Sequence, residues 1–353
     1  MTRSELTSLR LQAQQISDQQ WDSPEKLLHW MGAVQAQDFN MAKWATGLRL
    51  PKATQTAVED ALDQGQILRT HILRPTWHLV ARQDIRWMLD FSAPRIKAGL
   101  AGRHKELELD THLLAKAKRI LENVLKDGEA SRNELKKAVE DKGIHTSGNR
   151  MSHLLMEAEL SGLICSGRAN NYALLDERVP PQANLTREEA LNRLTQQYFQ
   201  SHGPALESDF AWWAGINLTE ARKGIASAGE WLSAATVNNN TYYFKDGHTP
   251  PGKSSSLFLL PAFDEYFIAY TERSTVIDMT KHAKAASNNG IFWPLIVQGG
   301  QVAGTWKREF KGDKVLLETQ FFNPPSASAE KNVLTQARKF ARFLGKKPDV
   351  TSV

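Results

Sequence analysis

One stretch, residues 110–180, changes hydrophobic period partway along, and this change constrains the fold more than any other feature of the chain. Leu113, Leu114, Ala117, Ile120, Leu121 and Val124 recur at helical spacing. So do Leu135 and Val139 behind Ser131, and Met151, Leu154, Leu155 and Ala158 further on. Two short apolar runs then follow, 163–165 and 172–175, separated by a turn at 167–171, and such runs read as a β-hairpin. Three helices closed by a hairpin is the order of a winged helix.

The same order returns over 186–244, where Leu191, Leu194 and Tyr198 mark one helix and His202-Gly203-Pro204 breaks it. Residues 210–216 and 219–227 suggest two more helices, and Asn238-Asn239-Asn240 turns the chain before Tyr242-Tyr243-Phe244. Helix starts are written in side-chain chemistry. Ser23 precedes Pro24, while Thr56 with Glu59, Ser131 with Glu134 and Thr186 with Glu189 have capping-box spacing. The N-terminal portion is helical up to Gly65. It then carries a β pair, 68–73 and 76–80, with Arg74-Pro75 at the corner, and reads as a third, elaborated copy of the plan. After a turn-rich segment at 248–256 the chain becomes β-rich over 257–260, 292–298, 301–308 and 314–322, with Gly299-Gly300 as a tight turn. An amphipathic helix over 328–344 ends the pattern. The expected fold is α+β and mainly α: three tandem winged-helix modules (1–108, 109–182 and 183–248), then a C-terminal antiparallel β domain with a terminal helix (249–353).

With 353 residues, 41% of them apolar and 24% charged, the chain suits several ordered domains. No apolar run approaches the roughly 20 residues of a bilayer span. The first ten residues lack the apolar core of a secretory signal, and the single cysteine, Cys165, excludes an intrachain disulfide. Cytoplasmic residence is the expectation. A net charge of +5 is compatible with a polyanionic partner without requiring one. Metal-ligand spacings, phosphate-binding glycine loops and the nucleophile elbow are missing from the sequence, so neither metal nor nucleotide cofactor is expected.

The candidate chemistry lies in Gly32-Ala33-Val34-Gln35-Ala36-Gln37-Asp38, where polar side chains directly follow an apolar helical run. Spacing alone leaves two readings open. These are solvated residues at a helix end, or Gln35 and Gln37 act together, which requires the helix to stop near Val34 or Gln35 so that an extended segment puts both on one face. A second group, His71, Arg74, Trp77 and His78, falls on the β pair. Arg82 and Arg86, spaced one helical turn apart, lead into Arg95, Lys97, Arg103 and Lys105. Ordinary hairpin packing and a solvated basic face account for these residues as simply as DNA contact does. The carboxylates of Phe263-Asp264-Glu265-Tyr266 suit buried partners of an arginine or amide, and Trp212, Trp213 and Trp306 suit core positions.

The run from Gly32 to Gln37 resembles the QxQ signature of the AlkZ/YcaQ-like DNA glycosylases. Three further segments resemble that family in the same order: Arg69-Thr70-His71 through Arg74-Pro75-Thr76-Trp77-His78, Leu260-Pro261-Ala262-Phe263-Asp264-Glu265-Tyr266, and Gly304-Thr305-Trp306-Lys307-Arg308. The resemblance implies three winged helices with a C-terminal β domain, and a monofunctional glycosylase for N7-alkylated purines, crosslinked ones included. It assigns catalysis to Gln35 and Gln37. The partner would be double-stranded DNA, bound by a monomer through His71, Arg74, Trp77, His78, Arg82 and Arg86. The rival reading is a DNA-binding protein or transcriptional regulator without catalysis, because winged helices serve that role most often.

Overall fold

A computed structural model describes residues 1–249 and 256–352. About half of these residues are helical, and the chain divides into two compact units, Glu59–Leu191 and a composite of Met1–Val58 with Asn192–Val353.

In the unit Glu59–Leu191, strands Ile67–His71 and Trp77–Ala81 pair antiparallel from Ile67 opposite Ala81 to His71 opposite Trp77. Helices Ile85–Glu106, Thr111–Leu125, Arg132–Asp141 and Arg150–Leu160 follow, and the hairpin of Ile164–Ser166 with Tyr172–Leu174 closes the set. Their starts are set locally. The Asp110 carboxylate accepts from Leu113 N at 2.7 Å, and Ser131 and Glu134 form a reciprocal capping box. The periodic apolar positions converge: Leu121, Leu125, Leu135, Val139, Leu154, Leu155 and Ile164 are all buried in one core, each such side chain contributing roughly 1.5–3 kcal/mol.

In the other unit, helices Arg3–Ala13, Pro24–Met31 and Phe39–Leu48 come from the N-terminal part. Helices Glu207–Ala214 and Leu218–Ala228 precede the hairpin Leu232–Val237 with Asn240–Lys245, whose tip residues Asn238 and Asn239 adopt φ of 49° and 64°. Asparagine tolerates that left-handed backbone at low cost. The C-terminal sheet holds Leu257–Leu260, Leu295–Gln298, Gln301–Lys311 and Lys314–Phe321 in antiparallel neighbours, backed by the final helix Ala327–Phe343. Trp44, Trp306, Phe340 and Phe343 pack together with ring centroids 5.0–5.2 Å apart, and the Trp44 and Trp306 indoles donate to Leu259 O and Leu260 O. Gly47 permits this contact, since a Cβ there would meet the Phe343 ring at 2.3 Å.

Three local expectations need correction. The helix Gln55–Asp63 begins before Thr56, and Thr54 supplies the cap, its hydroxyl accepting from Ala57 N at 3.1 Å. A fifth strand, Lys347–Ser352, joins the C-terminal sheet parallel to Lys314–Phe321, because the chain returns through the final helix rather than through a tight turn. Arg82 sits in the turn after Trp77–Ala81 and not on the helix of Arg86, which starts at Ile85. Residues 250–255 of the turn-rich segment lie outside the described residues.

Candidate active site

The helix Pro24–Met31 is capped by Ser23 and stops at Gly32, whose φ of +74° suits a residue without a side chain. Space favours the same choice, since a Cβ would lie 3.1 Å from the Trp213 ring. The last carbonyls of this helix are met by side chains: Gln197 donates to His29 O at 3.1 Å and Gln200 to Trp30 O at 3.2 Å. Beyond the glycine, Ala33–Gln35 is extended. The helix therefore ends before Gln35, but the strand stops at Gln35 and Gln37 lies in the bend beyond it. Gln35 is only 9% exposed, Ala36 is buried, and Gln37 is exposed.

Both ends of this short segment are pinned. Gln35 N donates to Glu265 Oε1 at 2.7 Å. Asp38 caps the helix Phe39–Leu48 by accepting from Met41 N at 3.0 Å, and its other oxygen lies 3.8 Å from the Arg308 guanidinium. The glutamine-bearing, Asp264-Glu265 and Arg308-bearing segments, far apart in sequence, thus meet at one place.

Glu265 is fully buried, and its second oxygen accepts from Trp213 Nε1 at 3.1 Å. His202 Nε2 lies 3.5 Å from that oxygen. Ser201 Oγ donates to Gln197 O at 2.6 Å and hence accepts, at 2.8 Å, from His202 Nδ1. Burial holds the His202 imidazole below its ordinary range despite the nearby carboxylate. Beside it, the Arg49 guanidinium grips both oxygens of Asp264 at 2.8 and 2.9 Å and also donates to Gln14 Oε1 and Ala45 O. Gln14 passes the network to the Tyr270 hydroxyl, which donates to His202 O at 2.7 Å. The carboxylates of Asp264 and Glu265 are buried acceptors for an arginine and a backbone amide, as their sequence context suggested.

The remaining sequence candidates lie in the unit Glu59–Leu191. His71 is buried and contacts Glu159 through both Nδ1 and its backbone N–H. The Trp77 ring is half-buried, 4.6 Å from the His71 ring and 4.3 Å beneath the Arg69 guanidinium. His78 is buried, its Nδ1 2.9 Å from Thr76 O. Arg74 is half-buried at the corner. Arg82 donates to the Gly65 and Gln64 carbonyls at 2.6 Å, and Arg86 to Pro180 O, Val179 O and Asp176. Of the downstream cations, Arg95 and Lys105 are exposed, Arg103 is exposed and pairs with Glu106 at 2.6 Å, and Lys97 pairs with Glu157 at 2.8 Å. Trp213 and Trp306 are core residues; Trp212 departs from that expectation, 46% exposed with its indole donating to Ile268 O. Arg49, His202 and Gln14 carried no sequence signal that singled them out. The partners that complete the network around them, Asp264, Glu265 and Tyr270, come from distant segments.

Comparison with known proteins places these features. The family described as "DNA glycosylase AlkZ-like" matches residues 28–343. Among solved structures the chain is similar to the Streptomyces sahachiroi DNA glycosylase AlkZ, with a TM-score of 0.81 and 19% sequence identity over 100% of both chains, a likeness of fold. No curated protein matches.

Proposed function

Because the chain belongs to the AlkZ-like DNA glycosylase family, we propose that it hydrolyses the N-glycosidic bond of N7-alkylated purines in double-stranded DNA, interstrand crosslinks included, using a water held by Gln35 and Gln37. The observation that carries this reading is the pinned segment itself. Gln35 N is tied to Glu265 and Asp38 is held by Arg308 and Met41 N, so the two glutamines sit on a backbone fixed from both sides.

The chemistry follows from the leaving group. An N7-alkylpurine already carries positive charge and departs without a general acid, leaving an oxocarbenium-like sugar. What the protein must add is an oriented water and a favourable dipole, which an amide carbonyl supplies. Gln37, the exposed amide, is the residue assigned to the water, with the more buried Gln35 behind it. The enzyme is monofunctional in this reading, because the groups that hold the segment are carboxylate, indole and guanidinium rather than the free amine a lyase step needs. The helix-and-hairpin stretches within 1–108, 109–182 and 183–248 are read as three winged helices of one monomer, with 249–353 as the β domain. In the first of them, Arg74 and Trp77 meet the duplex, while His71 and His78 are buried in the hairpin, Arg82 ties the hairpin's start and Arg86 ties residues 176–180.

The test is incubation of the protein with duplex DNA carrying N7-methylguanine, with chromatographic detection of free base. Gln37→Ala should slow single-turnover release by about 100-fold, and Gln35→Ala by less. Affinity for undamaged duplex should stay within about twofold, since the amide acts mainly in the transition state. Tight DNA binding by the wild type without any base release would refute the proposal and leave a DNA-binding protein.

A further inference from the structure

Residues 279–293 form a basic loop that displays three large apolar side chains, Met279 at its start and Ile291 and Trp293 at its end. The loop carries Lys281, His282 and Lys284 and no carboxylate. Its end is a tight turn. Ser287 N donates to Ile291 O at 2.8 Å, Ile291 N to Ser287 Oγ at 3.1 Å, and Trp293 N to Ala285 O at 3.0 Å, with Gly290 at φ +75°. Ala286 and Phe292 form a β-bridge. In such an extended piece alternate side chains point to opposite faces. Phe292 points inward, its ring 6.0 Å from both Phe263 and Phe267 and 5.2 Å from the Arg273 guanidinium. Ile291 and Trp293 share the other face and are 42% and 43% exposed. Single exposed apolar residues are commonplace, but two on one rigid face of a basic loop mark a contact surface.

The root of this loop is the site already described. Phe263 and Phe267 flank Asp264 and Glu265, and Glu265 holds Gln35 N. The displayed pair is therefore fixed relative to the candidate glutamines by direct packing within one compact unit.

We propose that Ile291 and Trp293 are a stacking wedge that enters the duplex beside the lesion when the damaged nucleotide is exposed, with Lys281 and Lys284 meeting the flanking phosphates. This rests on the glycosylase reading. Exposing a base leaves an unstacked step, apolar side chains fill such steps, and aromatic rings stack on any base without regard to sequence. The charge of the loop suits the polyanion that would surround the wedge.

The experiment uses the full chain and a duplex carrying 2′-fluoro-N7-methylguanine, which resists hydrolysis, next to 2-aminopurine, whose fluorescence rises on unstacking. Wild-type protein should raise the fluorescence. Trp293→Ala and Ile291→Ala, both at exposed positions, should lose most of the rise, and Trp293→Phe should restore it. On the hydrolysable lesion, Trp293→Ala should slow single-turnover base release by about 10-fold. A full rise retained by both alanine variants overturns the wedge and points to a different partner for this face, as does no rise with the wild type. If the wild type releases no base yet the rise depends on Trp293, the glycosylase reading fails and the wedge stands.

Discussion

Removing the Glu265 carboxylate should cost stability and activity in a fixed order. In Glu265→Ala the acceptor used by Gln35 N–H at 2.7 Å and by Trp213 Nε1–H at 3.1 Å is lost. Glu265 and Trp213 are fully buried, so bulk solvent does not take its place. Each buried donor deprived of its acceptor costs about 1–3 kcal/mol, giving about 2–6 kcal/mol for the pair, a large share of a typical 5–15 kcal/mol. Glu265→Gln keeps one acceptor for Gln35 N and turns the other oxygen into an NH2 group. That group no longer accepts from Trp213, so one buried donor rather than two loses its acceptor and the cost stays below about 3 kcal/mol. Urea unfolding followed by tryptophan fluorescence should rank wild type above the glutamine variant, and that above the alanine variant. Base release measured where all three remain folded should follow the same order, because Gln35 is released from its tether. A stable alanine variant, or an alanine variant that is destabilised but releases base at the wild-type rate, would refute the positioning role of Glu265.

Arg49→Met leaves Asp264 buried without its bidentate partner and should destabilise by about 3–5 kcal/mol in urea unfolding, with Asp264→Asn in the same chain recovering part of the loss. A pH dependence follows from His104 and His153, whose rings meet edge-on at 5.3 Å. Burial lowers both imidazoles below 6.5, His104 lowers His153 further, and Glu157 opposes the shift at His104. Above 6.5 neither folded nor unfolded chain binds these protons and the pair contributes nothing to the slope. Below it the unfolded chain takes them up first, so stability falls as pH drops toward the depressed folded values. Thermal melts at pH 7 and 5 should show this loss, and His104→Leu should shrink it; parallel losses in both proteins would exclude the pair as its source.

Features governed by neighbouring residues were legible in the sequence. The Ser131 and Thr186 caps, the Asn238-Asn239 turn, the Gly299-Gly300 turn and the periodic core of residues 110–180 all depend on side chains a few positions apart. The stop at Gly32 was legible only as a condition on Gln35 and Gln37, because the Trp213 ring that crowds a side chain there comes from another segment. Thr56 misled for a local reason: Thr54 offers the same hydroxyl two residues earlier, and the capping pattern does not say which threonine has the extended backbone. The parallel strand Lys347–Ser352 had no signal, since nothing in a strand's own sequence names its neighbour. The same holds for Glu265 and Gln35, which bond across 230 positions.

That long-range bond explains why polar groups lie buried beneath the glutamines at all. An apolar cluster in place of Arg49, Asp264 and Glu265 would be as stable or more so, since burying charges costs more than their attraction returns unless every lone pair and proton is used. What apolar residues cannot do is accept a hydrogen bond from Gln35 N–H. Without an acceptor at that point the extended segment would carry an unsatisfied buried donor and would relax away from the geometry set by Gly32. Asp264 then becomes necessary in turn, because it accepts from Tyr266 N at 2.9 Å and so holds the short helix Glu265–Ile268 that carries Glu265. Arg49 follows as the counter-charge that Asp264 requires. Each buried ion is explained by the backbone direction of the one before it, and the first direction in the series is that of Gln35.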